Sequence, residues 1–93
     1  MNVKDAVKKA IVYIADVFYT ENPESIGLEE VILNEDDNTW EVTVGFSRPW
    51  DYQKEGLVTG FQPRNPKRQY KIVRIDNKSG EVKSIKMREI KNE

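Results

Sequence analysis

The stretch Thr39-Trp40-Glu41-Val42-Thr43-Val44-Gly45-Phe46 alternates polar and apolar positions without a break until Gly45. Trp40, Val42, Val44 and Phe46 fall on one side and Thr39, Glu41 and Thr43 on the other, which is the period of a strand with one buried face. Such a strand belongs to an antiparallel sheet packed on a core along one side and wet along the other. Toward the N-terminus, Glu35-Asp36-Asp37-Asn38 is a polar turn cluster behind a shorter apolar run at residues 28 to 34, so the two runs form a hairpin. Toward the C-terminus, residues 69 to 76 and about 81 to 89 read as a second hairpin. Its turn is Asn77-Lys78-Ser79-Gly80, where Gly80 supplies the positive φ that such a loop needs.

Ahead of the strands the period changes. Val3, Val7, Ala10, Ile11, Ile14, Val17 and Phe18 recur at three- and four-residue steps, one stripe of an amphipathic helix. Asn2 is placed to cap its start with Asp5 three residues on, and Pro23 prevents its continuation, so the helix spans about residues 3 to 19. The order α-β-β-β-β gives an α+β fold, an N-terminal helix packed on a four-stranded antiparallel meander, in a single domain over 1 to 93. If Ile75 pairs with Val82 and Ile72 with Ile85, both faces of the second hairpin carry aliphatics. Val73, Ile75 and Val82 then form an apolar face opposite the helix, a candidate homodimer surface.

Composition excludes most chemistry. The chain has no His and no Cys, which removes Ser-His and Cys-His nucleophile pairs, thiolate metal sites and disulfides. Its glycines are scattered singly, with none of the clustering that cradles phosphate. Glu35-Asp36-Asp37 lacks the alternating oxygen ligands of a calcium loop. We therefore expect no enzyme activity, no cofactor and no metal. The apolar stretch from Ala10 to Ala15 is too short for a membrane span and has no small-residue exit of a leader peptide, which predicts a cytoplasmic location away from membranes.

The formal net charge is -1, which gives no overall field to attract nucleic acid. The distribution is uneven. Residues 21 to 41 carry Glu21, Glu24, Glu29, Glu30, Glu35, Asp36, Asp37 and Glu41 with no base, and residues 64 to 74 carry Arg64, Lys67, Arg68, Lys71 and Arg74 with no acid. The expectation is that these segments face each other or solvent; a basic recognition patch is the alternative.

The segment Tyr70-Lys71-Ile72-Val73-Arg74-Ile75-Asp76, followed by Asn77-Lys78-Ser79-Gly80-Glu81-Val82, resembles the hairpin of PepSY-like domains. There an aromatic-led strand ends in Asp and returns through a turn with Gly. The whole layout is similar to the cystatin-like architecture, although a Gln-Val-Val-like inhibitor hairpin is absent. Trp40 to Val44 with Arg48-Pro49 and this hairpin is also similar to a gas-vesicle accessory family. The PepSY resemblance implies an inhibitory or regulatory module.

Between the hairpins, residues 47 to 67 form a long connection containing Pro49, Gly56, Gly60, Pro63 and Pro66, and connections of that length tend to be functional. Arg48, Trp50, Tyr52, Phe61 and Arg64 interleave cations with aromatics, the residue types that anchor protein interfaces. The leading expectation is a non-enzymatic protein-binding, adaptor or inhibitor module whose partner is another protein, with a homodimer as a further possibility. In the opposing picture Trp50 and Phe61 fold back to close the core. Two other functions compete: a small-molecule pocket between helix and sheet lined by Tyr13, Trp40 and Tyr70 with Arg48 or Arg74, and single-stranded nucleic-acid binding through Trp50, Tyr52 and Phe61 with the basic residues from Arg64 to Lys71.

Overall fold

Asn2 opens the first helix with a reciprocal cap. Its side chain accepts the Asp5 N–H at 2.8 Å while the Asp5 carboxylate accepts the Asn2 N–H at 3.3 Å, so two donors at the helix start are satisfied. The computed structural model describes residues 1 to 51 and 68 to 88. Helix α1 spans Val3–Val17, a single 3-10 turn follows at Tyr19–Glu21, and Asn22 turns the chain with φ 49, just ahead of Pro23. Strands β1 (Glu24–Asn34), β2 (Thr39–Ser47), β3 (Gln69–Asp76) and β4 (Val82–Met87) then form one antiparallel sheet in the order β1-β2-β3-β4. The expected α+β meander is the observed fold. No described helix is long and apolar enough to cross a membrane.

The helix lies over β1, β2 and β3. Its contact line is Ala6, Ala10 and Ile14, all fully buried, whereas Val3 and Val17 of the expected stripe stand 43% and 50% exposed. Two alanines at i and i+4 let the helix backbone sit close to the sheet, so the line of closest approach follows the small side chains and not the largest ones. From the sheet, Val42, Val44, Phe46, Val73 and Ile75 complete the core, with Phe18, Ile26, Val31, Trp40, Val82 and Ile85 packed around it. The Phe18 and Phe46 rings meet at 5.2 Å between centroids and close the end of the core at the helix C-terminus.

The ladders are irregular at three places, one of them between Glu24 and Gly27 near the start of β1, and the other two decide which side chains of the central sheet face the helix. Between β1 and β2, Leu28 is opposite Val44 and Glu30 opposite Thr43, so Glu29 is an extra residue. Glu29 Oε2 lies 2.8 Å from where a Gly45 Cβ would stand, which places Glu29 on the outer face, and Glu30 opposite Thr43 shares it. Leu28 and Val31, three positions apart, both face the helix as a result. The other of these two lies between Arg74 and Ile75. Ile75 pairs with Val82 as expected, but Val73 pairs with Ile85 and Ile72 with Lys86.

This corrects the face assignment. Val73, Ile75, Val82 and Ile85 all lie under the helix, with Val73 and Ile75 fully buried, so the proposed dimer face is part of the core. The outer face of β3 carries Tyr70, Ile72 and Arg74 instead. The first strand also begins at Glu24, earlier than the apolar run from residue 28, because a bulged edge strand needs no alternation there.

Candidate interface at the end of the second strand

Where β2 ends, the chain enters a helical turn. Pro49, Trp50 and Asp51 have helical geometry, with Pro49 at the first position, where its missing N–H costs nothing. Arg48 is the residue that caps it. Its N–H donates to Asp51 Oδ2 at 2.8 Å, and the Asp51 N–H donates back to the Arg48 carbonyl at 2.9 Å. The Arg48 guanidinium also meets Asp51, 3.4 Å from Nε to Oδ2, and Glu21 at 3.6 Å from Nη1 to Oε1. Glu21 belongs to the 3-10 turn after α1, so the corner ties the end of the helix to the end of β2. Asp51 is 7% exposed.

Trp50 sits beside this ion triad. The Arg48 Cζ lies 5.0 Å from the centre of its ring, within cation–π range. The indole remains 46% exposed. Among the described residues it is Phe18, not Trp50, that seals the adjacent end of the core. Of the expected interface residues the structure thus brings Arg48 and Trp50 together; Tyr52, Phe61 and Arg64 lie outside the described residues. Glu21 and Asp51 were not singled out from the sequence, although Arg48-Pro49-Trp50-Asp51 carries a helix-start signal, Pro at the first position and Asp at the third.

On the outer face the acidic and basic runs oppose each other, as the cross-strand reading expects. Glu41 is the cross-strand partner of Arg74 and its carboxylate accepts from Arg74 Nε at 3.3 Å. Arg74 also pairs with Asp37, and Arg68 pairs with Glu29 at 3.6 Å. Partial desolvation pushes the Asp37 carboxyl up, but the hydrogen bond and charge of Arg74, with Thr39 and Lys83, outweigh it and hold the group below the usual carboxylate range. The same Asp37 hydrogen bond raises Arg74. Around Arg74 a shallow depression of about 580 Å³ is lined by Glu41, Ile72, Lys86, Met87 and Arg88.

Tyr13, Trp40 and Tyr70 do not converge. Trp40 faces the helix side at the hairpin end and donates its Nε1–H to Asn77 Oδ1 at 2.7 Å; Tyr70 lies on the other face, 5.3 Å from the Arg88 guanidinium; Tyr13 is 36% exposed. The space that does exist between helix and sheet is a different one. It measures about 530 Å³ and is lined by Val3, Val7, Ile11 and Val12 of α1 and by Leu28 and Val31 of β1, with Lys4 and Lys8 at its border. Among the described residues no three His, Cys, Asp or Glu side chains are grouped as a metal site requires.

No family model matches the chain, and no curated protein or solved structure does. The fold and the geometry of its surfaces therefore carry the functional argument.

Proposed function

We propose that this domain is a non-enzymatic protein-binding module that engages its partner through the Arg48–Trp50 corner. The observation that supports the reading is a large indole left half exposed while its support is fixed. Arg48 is held from two sides by Glu21 and Asp51, and Trp50 is stacked on it. Ordering side chains at an interface costs free energy, so an aromatic already positioned by a rigid strand end and a capped turn loses less on binding. Trp and Arg are also the types that most often dominate interface energetics. The hairpin's resemblance to PepSY-like domains suggests that the outcome of binding is inhibition or regulation; the cytoplasmic setting and the lack of a cofactor in this reading come from the sequence composition and not from that resemblance.

The test is affinity purification from the native source with the wild type and with Trp50→Ala, followed by titration of whatever protein is enriched. An anchor predicts that Trp50→Ala weakens this partner by about 1 to 3 kcal/mol, with the thermal midpoint unchanged. A lowered midpoint together with wild-type affinity would assign Trp50 to structure and sink the reading.

A further inference from the structure

One helix cannot cover four strands. A helix is about 10 Å wide, whereas the outer strands of a four-stranded sheet are about 14 Å apart axis to axis. Among the described residues α1 meets β1, β2 and β3, and no other element covers the flank between its outward side and the edge of β1. That flank is the 530 Å³ groove, and its floor is apolar: Val12 is 52% exposed and Leu28 44%. The extra residue in β1 turns Glu29 and Glu30 to the outer face, so no carboxylate of β1 enters the groove. The charges at its border are Lys4 and Lys8, one turn apart on α1, and neither forms an ion pair among the described residues.

We propose that this groove is a docking site for an amphipathic helix of a partner protein that carries carboxylates along one border of its apolar stripe. A second helix packed at about 8 to 10 Å from α1 lies over β1 and its edge, and completes a two-helix layer on the sheet. From Val3 to Val12 the wall of α1 runs about 14 Å, enough for two to three turns of the incoming helix. Carboxylates spaced i, i+4 on that helix match Lys4 and Lys8. An added strand fits less well, because the β1 ladder is irregular between Glu24 and Gly27 and between Leu28 and Glu30, and Ser25 has φ 54. A second copy offers a groove where a ridge is needed and brings like-charged lysine borders together. The site shares no residue with the Arg48–Trp50 corner and stands whether or not that corner binds a partner.

The experiment uses the full chain and two fluorescein-labelled 18-residue peptides. Both place Leu at i, i+3, i+4 and i+7; one carries Glu on the flanks and the other Lys. Fluorescence anisotropy should show saturable binding of the Glu peptide and weaker binding of the Lys peptide, a difference that shrinks in high salt. Leu28→Asp should lower affinity for the Glu peptide at least about tenfold, and Lys4→Glu with Lys8→Glu about threefold to tenfold. Trp50→Ala should leave it unchanged, which separates this site from the corner. Circular dichroism melting checks that each variant is folded, and Val12→Asp provides a second groove variant should Leu28→Asp fail to fold. Equal binding of the two peptides, absence of binding, or binding indifferent to both apolar substitutions overturns the proposal. So does a wild-type dimer in sedimentation equilibrium that Leu28→Asp dissociates, which assigns the groove to a second copy. Binding to phosphatidylserine vesicles with no binding to the Glu peptide overturns it as well.

Discussion

Asp76 shows how a single carboxylate can hold a turn. Its Oδ2 accepts the N–H groups of Lys78 at 3.0 Å and Ser79 at 2.7 Å, while its backbone exchanges bonds with Gly80 and Glu81. Gly80, at φ 78, takes the left-handed position that closes the loop, as the sequence suggested. The hydrogen bonds from Ser79, backbone and side chain, lead those that hold the Asp76 carboxyl below its usual range. A folded-state value below the unfolded one means that the unfolded chain binds more protons as acid is added. The contribution of Asp76 is therefore present above the unfolded value of about 4 and is lost as pH falls through the folded value. Thermal midpoints measured from pH 6 down to pH 2 (on the order of the carboxylate range) should fall, and Asp76→Asn should flatten that fall. An identical pH profile in the variant would remove Asp76 from the account. Next to this turn, Asn77 accepts from Trp40 Nε1 and donates to Asn38 Oδ1 at 3.0 Å, so the two hairpin turns are fastened side by side.

At the scale of the elements, the periodicities were legible because each reports one buried face. Helix and strands occur where the three- to four-residue and two-residue spacings place them, within a few residues. The ladder irregularities were not legible. An extra residue in a strand is selected by what must face the core on both sides of it, and that depends on the pairing partner, which local sequence does not specify. The faces of β3 and β4 were misassigned for this reason, and Ile75 moved from a surface to the core. Ile75→Lys consequently puts an unpaired charge into the core cluster that holds Ile14, Val42 and Val73. It should cost at least about 3 kcal/mol in urea denaturation, whereas Ile72→Lys on the outer face should stay within about 1 kcal/mol of the wild type. Comparable midpoints for the two variants would restore the alternative register. Of the corner, Arg48 and Trp50 were legible from residue type; their fixing by Glu21 and Asp51 was not, since Glu21 is brought there by the turn after the helix.

Across the whole molecule, the functional surfaces differ in kind. The outer face is filled with opposed charges, the helix flank is apolar with a lysine border, and the Arg48 corner presents one indole. Among the described residues the apolar flank lies uncovered beside the free edge of β1, an arrangement that calls for a safeguard in concentrated solution, and Glu29 supplies one. Because Leu28 already opposes Val44 and Glu30 opposes Thr43, deleting Glu29 leaves every other β1 side chain on its present face. The deletion should therefore be tolerated by the fold, with circular dichroism close to that of the wild type. What it removes is the kink in the edge and the carboxylate that answers Arg68. The strand then runs regularly from Gly27 to Asn34, with the irregularity at Glu24–Gly27 still in place, and that regular stretch becomes a better template for neighbouring chains. Light scattering at rising concentration should show the deletion variant clouding or forming fibres under conditions that leave the wild type clear, and a variant that remains equally clear would show that the extra residue serves geometry alone. On this account an inserted glutamate guards the edge of β1 without taking part in the core.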